Sequence, residues 1–118
     1  PEIAGKAALE NTFFSSLYSP DDTSDLNKEF VAEYKKAYNT NPDVFAALAY
    51  DSALLVAKAI EDAGSADPAK IAEAMAKIKG FKGVSGEVTF NEQHNPIKSA
   101  VIIEHKDGKQ TFKTKVNP

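Results

Sequence analysis

One apolar stretch, residues 41–64 with the sequence NPDVFAALAYDSALLVAKAIEDAG, constrains the fold more than any other part of the chain. Its apolar side chains recur three or four residues apart, and between Val44 and Ile60 only Asp51 and Lys58 are charged. Asn-Pro-Asp before the stretch and a glycine after it are helix start and stop signals. A helix that is apolar nearly all round is usually buried between other elements. We therefore predict a buried central helix of an α/β domain, too short and too interrupted by charge to span a membrane.

Two shorter helices are predicted on either side of this central helix. Before it, Ser24 or Asp25 can cap a helix, and one apolar stripe follows, with its members four residues apart: Leu26, Phe30, Tyr34 and Tyr38. After it, Asp67 at the cap and Pro68 at the first helical position mark a second start. The buried face of this last helix is predicted to consist of Ile71, Ala74, Met75 and Ile78.

Extended segments are expected before and after the helices. Aromatic and β-branched residues bounded by turn residues predict strands over Asn11–Leu17, Gly86–Phe90, Ser99–His105 and Gln110–Val116. The sequence Lys-Asp-Gly-Lys joins the last two, and an Asp-Gly pair between strand-like runs is a strong hairpin signal. A loop is expected where Gly80, Gly83 and Gly86 occur. The prediction is an α/β fold with three helices, a few strands and a C-terminal hairpin.

Charge and composition exclude several kinds of partner. The 118 residues carry a formal net charge of −3, which argues against nucleic acid and against anionic membrane surfaces. The absence of cysteine excludes disulfides and thiolate metal sites. All 14 basic residues are lysine, so no bidentate guanidinium grip on a carboxylate or phosphate is available. No signal peptide or transmembrane run is present, and a start at Pro1 without methionine suggests a processed protein, a proteolytic fragment or an excised piece.

Catalytic and cofactor signals are weak. His94 and His105 lack the spacing of a metal motif, GVSGE does not fit the GxSxG nucleophile elbow, and GFKGVSG is not a phosphate-binding loop. We therefore expect no enzyme activity, no cofactor and no metal. Asp51 is the notable polar residue, because a buried carboxylate needs a partner. That partner is expected to be a neighbouring loop or helix terminus, with a ligand contact as the alternative.

Three stretches together resemble the branched-chain-amino-acid-type periplasmic solute-binding proteins. FAALAYDSALLVAKAIEDAGSADPAKIAEAM resembles their "YDA" helix and the helix that follows it. GVSGEVTFNEQHNPIKSAVIIEHKDGKQTF resembles the "G–x–x–G–x–ITFD–x–x–G" segment near their C-terminus, and IAGKAALENTFFSSLYSPDD resembles the segment before their second inter-lobe crossover. The match runs over essentially the whole chain and in the family's order.

The resemblance implies a C-terminal fragment of a two-lobed fold whose lobes are joined by three crossover strands. Residues 1–18 would be the end of the second lobe and a crossover, residues 19–96 part of the first lobe, and residues 97–118 the return to the second lobe. It implies an extracytoplasmic component of an ABC importer, periplasmic or a cell-surface lipoprotein. Such a component binds an amino acid or related small carboxylate in the inter-lobe cleft and meets the transporter's membrane subunits.

The resemblance also implies three site residues. Phe45 matches an aromatic that contacts the ligand side chain in amino-acid-binding members, with a core position as its alternative. Tyr18 borders the cleft, where it would contact the solute or pack in the hinge. Lys6 stands where the family often has a carboxylate that pairs with the ligand ammonium. A lysine there would repel an ammonium and favour an anionic or carboxylate-bearing solute, unless it is simply solvated.

Two alternatives from other classes stay open. One is a small flavodoxin-like or other α/β enzyme domain, which would need a nucleophile or a phosphate loop that the sequence does not display. The other is an inactive structural fragment that self-associates, since unpaired strand edges and an exposed helix face favour association.

Overall fold

Four helices and six strands make up the described residues, and three of the helices lie together between the first and second strands. The structure, a computed structural model, describes residues 3–118, apart from the side chain of Lys6. The helices are α1 (Lys6–Leu9), α2 (Asp25–Tyr38), α3 (Val44–Ala63) and α4 (Pro68–Ala76). The strands are β1 (Phe13–Ser16), β2 (Phe81–Gly83), β3 (Gly86–Phe90), β4 (Pro96–Lys98), β5 (Ala100–Lys106) and β6 (Lys109–Val116). The predicted α/β class is confirmed.

One antiparallel sheet has the order β1-β5-β6, and we call it the hairpin sheet. Its two long strands are joined at Asp107 and Gly108, which both have positive φ angles, as the predicted Asp-Gly hairpin requires. A register irregularity lies between Ile102 and Ile103. The sheet joins the two ends of the chain, because β1 precedes all three long helices and β5 and β6 follow them.

A second antiparallel sheet has the order β2-β3-β4. We call this sheet together with α2, α3 and α4 the helical unit. The segment that contains Gly80, Gly83 and Gly86 was predicted to be a loop, but residues 81–83 form β2 and pair with β3. Strand β4 was also missed, since β2 and β4 have three residues each and show no period-two pattern.

Helix α3 begins and ends where the sequence signals indicate. The Asp43 side chain accepts a hydrogen bond from the Ala46 N–H at 2.8 Å, and Gly64 ends the helix in the left-handed conformation. One stripe is buried, with its members four residues apart: Ala47, Asp51, Leu55 and Ala59.

The prediction that α3 is buried nearly all round is wrong for the described residues. Outside its buried stripe, the helix exposes several large apolar side chains: Phe45, Tyr50, Leu54, Val56 and Ile60. The reason is geometric, because α4 and the β2-β3-β4 sheet pack against one side of the helix only. An apolar residue at helical spacing therefore predicts a buried face only where a second layer is present to cover it.

Two small apolar cores lie within the helical unit. One joins α2 to α3 and includes Tyr18, Phe30, Ala47 and Val84. The other joins α3 to α4 and the second sheet through Leu55, Ala59, Ile78 and Val88, with the predicted face of α4 packed half-buried against it. Ile78 was expected on α4 but lies just beyond the end of that helix.

The chain is elongated, with a radius of gyration of 16.8 Å and principal extents of 54 × 33 × 26 Å. A compact domain of this length would have a radius of gyration of about 13–14 Å. The excess arises because the hairpin sheet stands beside the helical unit rather than packing on it broadly. The two parts are connected at residues 17–24 and again at Ser99.

Candidate functional site

The carboxylate of Asp51 lies at the centre of a buried polar cluster. It accepts hydrogen bonds from the backbone N–H groups of Val84 at 2.7 Å and Ser85 at 2.9 Å, and from the Ser85 hydroxyl. Two successive N–H groups aimed at one carboxylate form an anion-binding concavity of the kind that backbone turns provide. The partner expected for Asp51 is therefore the turn between β2 and β3, and we call this arrangement the carboxylate clasp.

Lys98 extends the clasp to β4. Its ammonium donates to the Ser85 hydroxyl at 2.6 Å. Burial lowers the pKa of Lys98, the charge of Lys115 lowers it further, and the Asp51 carboxylate opposes both effects. The clasp thus joins α3, the β2–β3 turn and β4 through Asp51, Ser85 and Lys98.

Asn27 is a second buried polar centre, and its side chain is fully inaccessible to solvent. Its carbonyl oxygen accepts a hydrogen bond from the Tyr18 hydroxyl at 2.8 Å. Its amide nitrogen donates to the backbone carbonyls of Pro20 at 3.1 Å and Asp22 at 2.8 Å, with a longer contact of 3.4 Å to Ser19. One side chain therefore fixes the connection between β1 and α2.

Tyr18 occupies a packing position in this structure. Its side chain is 4% exposed, and its ring meets Phe30 edge-on with the centroids 6.3 Å apart. Burial raises the pKa of Tyr18, and the carboxylates of Asp22, Asp21 and Asp51 raise it further. The hydroxyl is therefore protonated at neutral pH and is used as a donor to Asn27.

Asp22, in the segment that connects β1 to α2, forms an ion pair with Lys115 of β6. Burial acts to raise the pKa of Asp22, but hydrogen bonds from Lys115 and Ser24 outweigh it, so the pKa is lowered. The pair is partly shielded, since the Asp22 side chain is 10% exposed and that of Lys115 is 31% exposed. Screening by solvent therefore weakens this ion pair less than a fully exposed one.

The contribution of the Asp22–Lys115 pair to stability is expected to vanish in acid. The folded-state pKa of Asp22 is depressed, so its contribution is complete above the unfolded value of about 3.9 and is lost as pH falls through the folded value. Urea unfolding of the chain and of Asp22→Asn should differ at neutral pH and converge below about pH 4. Asp25→Asn, which loses an exposed pair with Lys28 and the acidic group in the first turn of α2, is the control. A gap that is independent of pH would contradict the assignment.

Phe45 is the second residue of α3, and its side chain is 76% exposed. The alternative of a core position is therefore not realised among the described residues. The side chain of Lys6, the third predicted site residue, lies outside the part of the chain that the structure describes; its backbone begins α1. Tyr18 and Phe45 belong to different local environments, one enclosed and one open.

An open apolar groove of about 750 Å³ runs between α2 and α3. Aromatic and aliphatic side chains dominate its lining, including Phe30, Tyr34, Tyr38, Tyr50 and Leu54. Its aromatic rings meet at tilted angles, with the ring centroids of Phe30 and Tyr50 4.8 Å apart and those of Tyr34 and Tyr38 4.6 Å apart. The stripe predicted for α2 thus lines a groove, and Phe30 is the one buried member of the four.

The described residues bring together no group of three or more His, Asp or Glu side chains with the arrangement of a metal site. His94 is exposed, and the ring of His105 lies 3.1 Å from the Thr12 hydroxyl. Among the helices in residues 3–118, none has the length and apolar character needed to cross a membrane.

Comparison with known proteins places the chain in a family. The sequence profile of the family described as "Periplasmic binding protein" matches residues 2–110. The chain belongs to the periplasmic binding protein family. This family consists of solute-binding proteins of ABC transporters rather than enzymes, so the alternative of a flavodoxin-like enzyme domain is discarded.

Several relatives of this periplasmic binding protein chain are named as amino-acid-binding proteins. The chain is 36% identical over 113 residues to the leucine-, isoleucine-, valine-, threonine- and alanine-binding protein of Pseudomonas aeruginosa, and the match covers 92% of the chain and 29% of that protein. The leucine-binding protein of Thermotoga maritima is 38% identical, with a TM-score of 0.82 over 94% of the chain and 32% of that protein.

Two further solved structures of this family carry different solutes. The branched-chain amino acid binding protein of Streptococcus pneumoniae in complex with isoleucine is 36% identical, with a TM-score of 0.82 over 98% of the chain and 33% of that protein. A solute-binding protein of Rhodopseudomonas palustris in complex with benzoate is 27% identical, with a TM-score of 0.78 over 94% of the chain and 31% of that protein. The periplasmic binding protein chain thus spans about a third of the length of these relatives.

Sequence reasoning missed Asn27, Lys98 and Lys115 as the residues that organise the polar contacts. A signal existed for Asn27 alone, because it precedes Phe30 by three residues and therefore lies on the apolar face of the helix, where an amide is unusual. For the two lysines no signal existed, since Lys98 and Lys115 lie in polar segments where lysine is ordinary.

Proposed function

We propose that this chain is part of the solute-binding component of an ABC importer and acts outside the cytoplasm, in the periplasm or as a lipoprotein at the cell surface. The observation that carries the proposal is the match over more than nine-tenths of the chain, at 36–38% identity, to amino-acid-binding proteins. In this role the protein would capture a small solute and present it to the transporter's membrane subunits. No bond chemistry is required of any residue.

We propose the following division of the chain between two lobes. Residues 1–18 and 97–118 contribute to the second lobe and to its crossovers, and residues 19–96 contribute to the first. The separation of the hairpin sheet from the helical unit supports this division for most of the chain, because β1, β5 and β6 pair with one another and not with β2, β3 or β4. Its last boundary does not coincide with the sheets, since Ile97 and Lys98 belong to β4 and pair with β3 in the helical unit. The solute would lie between the two parts, where a cleft between lobes provides a concave site.

The proposed solute is an amino acid or a related small carboxylate with an apolar group. Phe45 supports the apolar part of this assignment, because its exposed ring offers a surface to an aliphatic or aromatic group. Lys6 would supply a positive charge close to a solute carboxylate. Two relatives support this range, since one was solved in complex with isoleucine and the other in complex with benzoate. Tyr18 would contribute by packing in the hinge, the alternative to a solute contact, since its side chain is 4% exposed and its hydroxyl is bonded to Asn27.

Solute titrations of the full-length protein that carries this chain test the proposal. Isothermal titration calorimetry with leucine, isoleucine, glutamate and benzoate should yield saturable binding of at least one of them. Stronger binding of benzoate than of isoleucine would support the assignment of Lys6, because a cation opposite an ammonium is unfavourable. If none of the four solutes binds, the assignment to an amino acid or small carboxylate is wrong.

Replacing Phe45 with alanine in that full-length protein is expected to weaken solute affinity roughly ten- to a hundredfold, the effect of losing the burial of one aromatic side chain. The melting temperature without solute should change little, because the side chain is 76% exposed. Tyr38→Ala is the control. It removes an exposed aromatic side chain from α2 instead of α3 and should leave the solute affinity unchanged. A large fall in melting temperature with unaltered affinity would make Phe45 a packing residue.

Self-association of the 118-residue chain remains a prediction. The groove between α2 and α3 supports it, because exposed apolar surface of this kind favours contact with another protein surface. Size-exclusion chromatography with light scattering reports the mass directly, and a monomer at high concentration would contradict the prediction.

A further inference from the structure

The hairpin sheet and the helical unit are joined where three segments run side by side. In the register of the sheet, Val101 lies opposite Ser16 on one side and opposite Lys115 on the other. The chain leaves the sheet just after Ser16 and re-enters it just after Ser99. Both passages and the end of β6 therefore lie next to one another, which is the geometry of a hinge.

Asn27 holds the first of these passages against α2. Its amide hydrogens and its carbonyl oxygen reach Pro20, Asp22 and the Tyr18 hydroxyl from a fully buried position. A buried side chain with partners on three other residues has a single arrangement that satisfies all of them. The passage is consequently fixed to the helical unit and moves with it.

The Asp22–Lys115 ion pair then ties this passage to the hairpin sheet. The other ion pairs of the described residues lie within α2, within α3, at the end of α4, or within the hairpin sheet itself. Asp22 is on the fixed passage, and Lys115 is near the end of β6. A charge pair at this place affects the angle between the hairpin sheet and the helical unit. It has little effect on the packing within either of them.

We propose that Asp22 and Lys115 form a latch, anchored by Asn27, which sets the angle between the hairpin sheet and the helical unit. Asp22 and Lys115 are thereby positioning residues. Their connection with solute-driven closure rests on the proposed function, whereas the latch itself concerns only the geometry of this chain. An ion pair is suited to the task because it can break and re-form without disturbing an apolar core.

The latch is tested by measuring the distance between the two parts in the 118-residue chain. The chain contains no cysteine, so the pair Lys109→Cys and Glu61→Cys places one spin label on β6 and one on α3 without background labelling. Pulsed electron paramagnetic resonance, with the labelled chain diluted in an excess of unlabelled chain so that only distances within one chain are read, then gives the distance distribution. Asp22→Asn is expected to broaden this distribution and to shift its mean by several ångströms.

Two variants serve as controls for the latch. Glu104→Gln breaks the ion pair with Lys113 inside the hairpin sheet and should leave the distribution unchanged. The exchange Asp22→Lys with Lys115→Asp restores an ion pair of reversed polarity and should narrow the distribution again. A distribution for Asp22→Asn that superimposes on that of the parent chain would overturn the proposal, as would equal broadening in Glu104→Gln.

Lys115→Met provides a second way to break the latch if Asp22→Asn does not fold. Should neither variant unfold cooperatively, the pair is a folding requirement and the latch proposal is wrong. The distance measurement contains no solute, so its failure leaves the proposed function intact. Failure of the solute titrations would equally leave the measured distances unaffected.

Discussion

Replacing Gly83 with alanine is expected to lower the free energy of unfolding by about 2–5 kcal/mol. A Cβ atom at this position would lie 2.5 Å from Cγ and Oδ2 of Asp51 and 2.7 Å from Oδ1, distances at which the carboxylate must move. The displaced carboxylate would leave the N–H groups of Val84 and Ser85, and all three buried groups would lose their partners.

Urea unfolding followed by circular dichroism measures this loss, and Gly64→Ala is a matched control. Gly64 has a φ of +57° and no atom near its missing Cβ, so alanine there should cost only about 1 kcal/mol of conformational strain. In a background of Asp51→Ala the effect of Gly83→Ala should largely disappear, because the clashing group is gone. Equal costs for the two glycine substitutions would show that the clasp does not constrain Gly83.

Asn27→Ala is expected to destabilise the chain by about 3 kcal/mol and to loosen the connection between β1 and α2. The substitution removes the acceptor for the Tyr18 hydroxyl and the donor for the carbonyls of Pro20 and Asp22, and it leaves a cavity. Thermal unfolding should show the loss, and limited proteolysis should show new cleavage within residues 17–24.

Tyr18→Phe is the matched control for Asn27, since it deletes one hydrogen bond and retains the amide donors. We expect it to cost about 1 kcal/mol and to leave the connection resistant to protease. If Asn27→Ala and Tyr18→Phe were equally mild, the amide contacts to the two carbonyls would contribute nothing to the order of the connection.

The sequence predicted elements whose signals are local. Helix α3 was expected within residues 41–64 and lies at Val44–Ala63, because its cap and its terminating glycine act on their immediate neighbours. The hairpin at Asp107 and Gly108 was found for the same reason. Strands of three residues, such as β2, are too short to carry a period and depend on their partner strand.

The candidate site was less predictable, because its contacts join residues that are distant in sequence. The sequence predicted that a buried Asp51 needs a partner. It did not identify that partner, which is the turn at Val84 and Ser85, more than thirty residues later. The exposed face of α3 was misjudged because periodicity states which residues are apolar and not which surface is present to cover them.

The clasp also explains why two stretches of the resemblance occur together. The aspartate of the "YDA" helix binds the turn that lies between the two glycines of the "G–x–x–G" segment. Gly83 leaves room for the carboxylate, and Gly86 has a φ of +115° and would bring a Cβ within 2.8 Å of the Ser99 hydroxyl. Each stretch supplies what the other one requires.

The chain order of the hairpin sheet has a kinetic consequence. Strand β1 ends at Ser16 and its partner β5 begins at Ala100, so the intervening segment must be closed as one loop before the strands can pair. When that segment folds into the helical unit, its two ends emerge side by side and much of the closure entropy has already been lost. The pairing of β1 with β5 is therefore expected to be the last step of folding, slow relative to the local β5–β6 hairpin.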